Sequence, residues 1–73
     1  MFHKLNNNVK YLRKKANMTQ PSLAQKLGVG KSTLANFESG QINTSLEVLD
    51  KLHDIFNVSL DDLVYKDLSS SEE

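Results

Sequence analysis

Apolar residues recur at helical spacing along most of the chain. Because such periodicity marks the buried face of an amphipathic helix, the pattern predicts an all-α fold of five helices. The fourth helix has the widest apolar face, which predicts the central core helix. The apolar positions of the five segments are, in chain order, Leu5, Val9, Leu12 and Ala16; Leu23, Ala24 and Leu27; Leu34 and Phe37; Leu46, Val48, Leu49, Leu52, Ile55 and Phe56; and Leu60, Leu63 and Val64.

Polar residues and glycines predict where these helices begin and end. Thr19 is expected to cap the second helix through its hydroxyl, and Asn6 or Asn7 to cap the first. Gly28 follows the second helix and supplies the left-handed backbone of a C-terminal cap. Capping boxes are predicted at Thr44 with Glu47, opening the fourth helix, and at Ser59 with Asp62, opening the fifth.

The second and third predicted helices are joined by a tight turn within residues 19–40, TQPSLAQKLGVGKSTLANFESG. The small Ala24 permits close approach of the two helices, and Leu34 and Phe37 complete their shared apolar seam. This pattern, TQxxLAxxLGVxxxTLxxFExG, resembles the helix-turn-helix of the Cro/CI-type (XRE-like) DNA-binding family. The resemblance covers roughly residues 5–66 and implies a compact five-helix, lambda-repressor-like domain with the helix-turn-helix at helices 2 and 3. We expect one domain at residues 1–68 and a polar tail at 69–73.

The formal net charge of zero conceals a division between the two halves of the chain. Residues 1–40 contain seven basic residues and one acidic residue, a net charge of +6, whereas residues 41–73 contain two basic and eight acidic residues, a net charge of −6. A basic surface attracts phosphate. It is also compatible with an ordinary solvated helix surface, but its coincidence with the helix-turn-helix favours DNA.

The third helix is expected to carry the surface that contacts bases. By resemblance Lys31, Ser32 and Asn36 occupy the base-contacting positions, and their chemistry is suitable, since lysine can donate to guanine and asparagine can pair with adenine in the major groove. Without the family context, such a face is more often plain solvent surface. Contacts to the DNA backbone are expected from Gln20, Thr33, Lys10, Arg13, Gln41 and Asn43.

The resemblance also implies an ion pair between Arg13 and Glu38, the residue that ends the third helix. Arg13 can then act in two compatible ways, as an arginine positioned near a phosphate or as one partner of a purely structural pair. Ser22 departs from the family, which commonly has glutamate there, so the second helix lacks a capping box.

No catalytic set is predicted. The string GVGKST ends like a phosphate-binding loop, but the required first glycine is Gln25 and a helix rather than a strand precedes it. We therefore expect a non-enzymatic protein without cofactor or metal. The chain has no cysteine and no apolar run near the ~20 residues that span a bilayer, so we expect no membrane association and a cytoplasmic location.

The sequence thus predicts a sequence-specific transcriptional regulator that binds double-stranded DNA, reads the major groove with the third helix and is expected to be a repressor. The alternative is a protein-interaction modulator, antirepressor or antitoxin-like, that uses the same fold to bind another regulator. One recognition helix reads few base pairs, so a homodimer is expected on DNA, with Val64, Tyr65 and Leu68 at its interface. These three residues can instead close the monomer's core.

Overall fold

The computed structural model describes residues 3–69, apart from the side chain of His3. All regular structure within this range is helical, as the periodicity predicts. The helices are α1 (His3–Lys15), α2 (Gln20–Leu27), α3 (Lys31–Glu38), α4 (Leu46–Phe56) and α5 (Leu60–Tyr65). The predicted tail lies outside the described residues from position 70 onward, and residues 1 and 2 of the predicted domain do as well.

The first helix begins earlier than the sequence indicated. Because α1 is already helical at His3, Asn6 and Asn7 lie inside it, and the prediction that either caps it is wrong. The prediction for α2 is confirmed, since the Thr19 hydroxyl accepts a hydrogen bond from the Ser22 N–H at 3.2 Å. Gly28 ends α2 with φ +74°, the left-handed conformation that glycine adopts without steric cost.

The start of α4 also differs from the prediction. The N-cap is Ser45, whose Oγ accepts from the Val48 N–H at 3.3 Å, and not Thr44. The two hydroxyl residues are adjacent, so the sequence pattern misplaced the cap by one position. The Ser59 cap of α5 is confirmed by a 3.1 Å hydrogen bond from the Asp62 N–H.

The core draws on all five helices, because each contributes at least one buried apolar side chain. Helix α4 buries less than expected. Val48 and Leu52 are buried, but Leu46 is 79% exposed, so its prediction as part of the core face is wrong. Leu46 is the first residue of its helix and so extends beyond the packed layer. The buried apolar residues are Leu5, Val9, Leu23, Ala24, Leu27, Leu34, Phe37, Val48, Leu52 and Leu63.

Candidate nucleic-acid interface

Helix α3 presents a polar outer face. Leu34 and Phe37 are buried, whereas the small or polar residues before and between them are not. At ~100° per residue the two buried positions fix the rotation of the helix, so these other positions point outward. The residues that are exposed there are Lys31, Ser32, Thr33 and Asn36, and Ala35 is half-buried. All four α3 residues predicted to contact DNA therefore lie on solvent-accessible surface.

The C-terminal end of α3 is held to α1 by a buried ion pair. Arg13 Nε lies 2.7 Å from Glu38 Oε2 and Arg13 Nη2 lies 3.1 Å from Glu38 Oε1, a bidentate arrangement. Both residues are only 8% exposed. Arg13 Nη1 also donates to the Met18 carbonyl at 2.9 Å. The pair that the resemblance implied is therefore present, and it joins α1 to the end of α3.

All three guanidinium nitrogens of Arg13 donate within the protein. The geometry therefore gives Arg13 a structural role, while its predicted contact with a phosphate stays a prediction. Its planar fork matches the two carboxylate oxygens, an arrangement that a lysine at this position does not reproduce.

Gln20 joins the same cluster. It is the first residue of α2, it is half-buried, and its Nε2 donates to Glu38 Oε1 at 3.1 Å. Glu38 thus accepts from both α1 and α2, and the start of α2 lies beside the end of α3. One side-chain N–H of Gln20 is used in this bond, and its predicted contact with the DNA backbone stays a prediction.

A second tie to α3 was not predicted. Asn6, on α1, donates from Nδ2 to the backbone carbonyl of Phe37 in the last turn of α3. The run Asn6-Asn7-Asn8 was the signal available in the sequence. Asparagine has a low helix propensity, so three in succession inside a helix indicate that some of their side chains have hydrogen-bond partners in other elements.

The remaining candidates for DNA backbone contact are exposed. Lys10 lies on the outer surface of α1, and Gln41 and Asn43 lie in the loop between α3 and α4. Gly40 turns this loop with φ +86°, and the Gln41 N–H donates to the Asn36 carbonyl at 2.9 Å. The loop is therefore fixed directly to the end of α3.

The three residues predicted for a dimer interface differ in solvent exposure. Tyr65 is 68% exposed on α5, whereas Val64 is half-buried and packs against the core. Leu68 follows α5, is half-buried, and its N–H donates to Asn8 Oδ1 on α1 at 3.0 Å. Leu60 adds a further apolar side chain on α5 that is 41% exposed.

No metal or membrane feature accompanies this surface in the described part of the chain. Residues 3–69 contain no cluster of three or more histidine, aspartate or glutamate side chains able to hold a metal ion. None of the five helices has both the length and the apolar character needed to cross a bilayer.

Comparison with known proteins places this geometry in a family. A family model described as helix-turn-helix matches residues 9–63. An uncharacterized HTH-type transcriptional regulator of Methanocaldococcus jannaschii is 38% identical over 86% of this chain and 97% of its own length. The HTH-type transcriptional regulator AnsR of Bacillus subtilis is 45% identical over 73% of this chain and 46% of its own. The antitoxin PezA of Streptococcus pneumoniae is 37% identical over 82% of this chain and 38% of its own length. No solved structure gave a significant match.

The match covers most of the chain, including every residue from the middle of α1 to Leu63 on α5. The chain therefore belongs to the XRE-like helix-turn-helix family, a non-enzymatic class of DNA-binding transcriptional regulators.

Proposed function

We propose that this chain binds double-stranded DNA sequence-specifically, placing the outer face of α3 in the major groove, and that it acts as a repressor. The observation that carries the proposal is the two-sided character of α3. Its inner side is fixed by Leu34, Phe37 and the Glu38 cluster, while its outer side offers short polar side chains. A helix held this firmly can enter a groove without first being ordered.

The outer face has the chemistry of base recognition. Lys31 can donate to guanine O6 and N7, Asn36 can form a paired contact with adenine N6 and N7, and Ser32 can donate or accept. Backbone contacts then set the register of the helix in the groove. We assign those contacts to Gln20, Thr33, Lys10, Gln41 and Asn43, with Arg13 acting through the position of α3.

The charge distribution supports the same orientation. The lysines of the first 40 positions are exposed, whereas Arg13 is buried, so the lysines give this half a positive surface that attracts phosphate. The second half of the chain has the opposite sign, and its acidic residues, which begin at Glu47, are expected to face away from DNA. Repression requires no further activity from the domain, because occupancy of a promoter by the bound protein is sufficient to exclude other proteins.

Operator binding by a homodimer is part of the proposal. A single short recognition helix contacts few base pairs, and two copies on half-sites ~34–36 Å apart double the contacts. The exposed Tyr65, with Val64 and Leu68 beside it, supports α5 as the shared surface. Light scattering with and without operator DNA tests this, with Tyr65→Ala compared against Asp61→Ala, an exposed change on the same helix. A wild-type chain that stays monomeric on DNA contradicts it.

A second function is favoured by the exposed apolar residues. Leu46 at 79% and Tyr65 at 68% exposure lie in the acidic half, and one relative is named an antitoxin. Under this alternative, the acidic half with its apolar residues binds another regulator, and the basic half contributes little.

Salt dependence of DNA binding separates the two functions. If the basic half binds phosphates, log affinity falls with log salt concentration with a slope of about −0.9 per phosphate contacted. Fluorescence anisotropy with labelled duplexes at several salt concentrations measures it, and Lys10→Ala should reduce the slope by about one unit. Absence of binding to duplex DNA at low salt contradicts the DNA-binding proposal and favours the protein-partner function.

A further inference from the structure

Two side chains of α1 connect the end of α3 to the end of α5. Asn6 donates to the Phe37 carbonyl in the last turn of α3. Asn8 is completely buried, and its Nδ2 donates to the Leu63 carbonyl at 2.8 Å and to the Lys66 carbonyl at 2.5 Å. Its Oδ1 accepts from the Leu68 N–H at 3.0 Å. One turn of α1 therefore holds the C-terminal ends of two other helices.

Asn8 pairs carbonyls at and just after the end of α5, whereas the Phe37 carbonyl bound by Asn6 also accepts from the Gly40 N–H at 3.1 Å. The last carbonyls of a helix have no intrahelical donor, and a buried one left unpaired is costly. Hydrogen bonds are directional, so the two amides constrain the rotation and the axial position of both helices relative to α1.

Helix α5 needs such a constraint more than its neighbours. It has six residues, and Leu63 is the apolar side chain that it buries fully. One fully buried side chain, with the half-buried Val64 beside it, determines rotation about the helix axis less well than the larger buried faces of the other helices. The three hydrogen bonds of Asn8, to the Leu63 and Lys66 carbonyls and from the Leu68 N–H, supply the missing restraint.

We propose that Asn6 and Asn8 are positioning residues that set which spacing of DNA half-sites the dimer accepts. The inference rests on the proposed function, in which α3 reads DNA and α5 joins the two copies. If α5 rotates on α1, or α3 shifts on it, the two recognition helices of a dimer change their separation and phase. Each base pair of altered spacing moves a half-site by about 3.4 Å and also rotates it about the DNA axis, so small shifts matter.

The test measures spacing preference rather than stability. A half-site sequence is first selected from randomised duplexes with the wild-type chain. Duplexes are then made with two such half-sites at a series of spacings that differ by one base pair. The affinity of the protein is measured for each of these duplexes and for a duplex with a single half-site. The variants are Asn8→Leu, which keeps the side chain's size but removes its hydrogen bonds, and Asn6→Ala. Asn7→Ala is the matched control, because Asn7 lies between them and is exposed.

We expect the wild type and Asn7→Ala to prefer one spacing over its neighbours by ~10-fold or more, since linked sites gain ~10²–10⁴-fold only when geometry permits both to bind. Asn8→Leu and Asn6→Ala should reduce that preference to about threefold or move the optimum, with single half-site affinity within about twofold of wild type.

Three outcomes overturn the inference. If both variants are folded by circular dichroism and keep the wild-type optimum and ratio, the two residues are structural only, while the proposed function stands. If Asn8→Leu does not fold, an unchanged spacing preference in Asn6→Ala overturns the inference by itself, and the proposed function again stands. If the wild type itself shows no spacing preference, the dimer proposal fails, and this inference fails with it.

Discussion

The half of the chain that carries α1 to α3 and the half that carries α4 and α5 are held together by different means. In the first half, charged and amide side chains reach between helices, as in the contacts of Arg13 and Gln20 with Glu38. Within the second half, the hydrogen bonds made by Ser45, Ser59 and the His53 ring span at most five residues. Among the described residues, the long-range side-chain hydrogen bonds of this half join it to the first half, through Lys51 and Asn8. The core residues of α4 and α5 are Val48, Leu52 and Leu63, with Leu49, Ile55, Phe56 and Val64 packed against the core.

The difference fits the functions that we propose for the two halves. Directional contacts fix an orientation, which a recognition helix requires because a misplacement of about 1 Å disrupts a designed or natural binding geometry. Apolar contacts fix proximity more than orientation, and they leave Leu46 and Tyr65 at the surface of the second half. The first half is therefore suited to read a rigid ligand, and the second to adhere to another apolar surface.

The largest effect is expected from breaking the polar cluster of the first half. Arg13→Ala leaves Glu38 with 8% exposure and no bidentate partner, and removal of one member of a buried pair costs ~3–5 kcal/mol of unfolding free energy. Urea denaturation measures it. Lys14→Ala, an exposed change on the same helix, is the control and should change stability by less than ~0.5 kcal/mol. Equal stability of the two variants would mean that the cluster does not hold the first half.

The apolar second half is tested by two leucines of the same helix. Leu52 is fully buried and Leu46 is 79% exposed. Leu52→Ala should therefore destabilise by ~2–5 kcal/mol through lost burial and the cavity left behind. Leu46→Ala should change the unfolding free energy by less than ~0.5 kcal/mol. A large loss in Leu46→Ala, measured at a concentration where the chain is monomeric, would show that Leu46 is core after all.

These contrasts also indicate what the sequence could and could not predict. Periodicity and glycine placement predicted five helices and the turn at Gly28, because both depend on local backbone preferences. The exposed face of α3 followed from the same periodicity. The family resemblance implied the Arg13–Glu38 pair, and the structure confirms it.

Contacts between residues far apart in the chain could not be predicted from the sequence. The exposure of Leu46 depends on which elements come to lie beside the first turn of α4, and periodicity carries no information on that. The caps made by Asn6 and Asn8 join residues 31 and 55 or more positions apart. An asparagine inside a helix signals that some partner exists, but the partner's identity depends on tertiary packing.

A smaller effect is expected where the two halves meet at Gly28. Lys51 of α4 donates from Nζ to the Leu27 carbonyl at 3.2 Å, and a Cβ at Gly28 would lie 3.2 Å from the same nitrogen. With φ at +74°, Gly28→Ala should cost ~1–2 kcal/mol in backbone strain. Gly30→Ala is the comparison, since its φ is −76° and the nearest atom to a Cβ is 3.9 Å away. Thermal unfolding should rank Gly28→Ala as the less stable variant, and the reverse order would argue against a strained junction.

The central claim is that the outer face of α3 reads bases, and site selection from randomised duplexes tests it most directly. Wild type, Asn36→Ala and Lys10→Ala are each enriched on the same library at the same salt concentration, and the recovered sites are compared. Asn36→Ala should lose ~1–3 kcal/mol of affinity and relax preference at one base pair. Lys10→Ala should bind all sequences more weakly with its preferences unchanged. Identical site preferences for Asn36→Ala and wild type would contradict the claim.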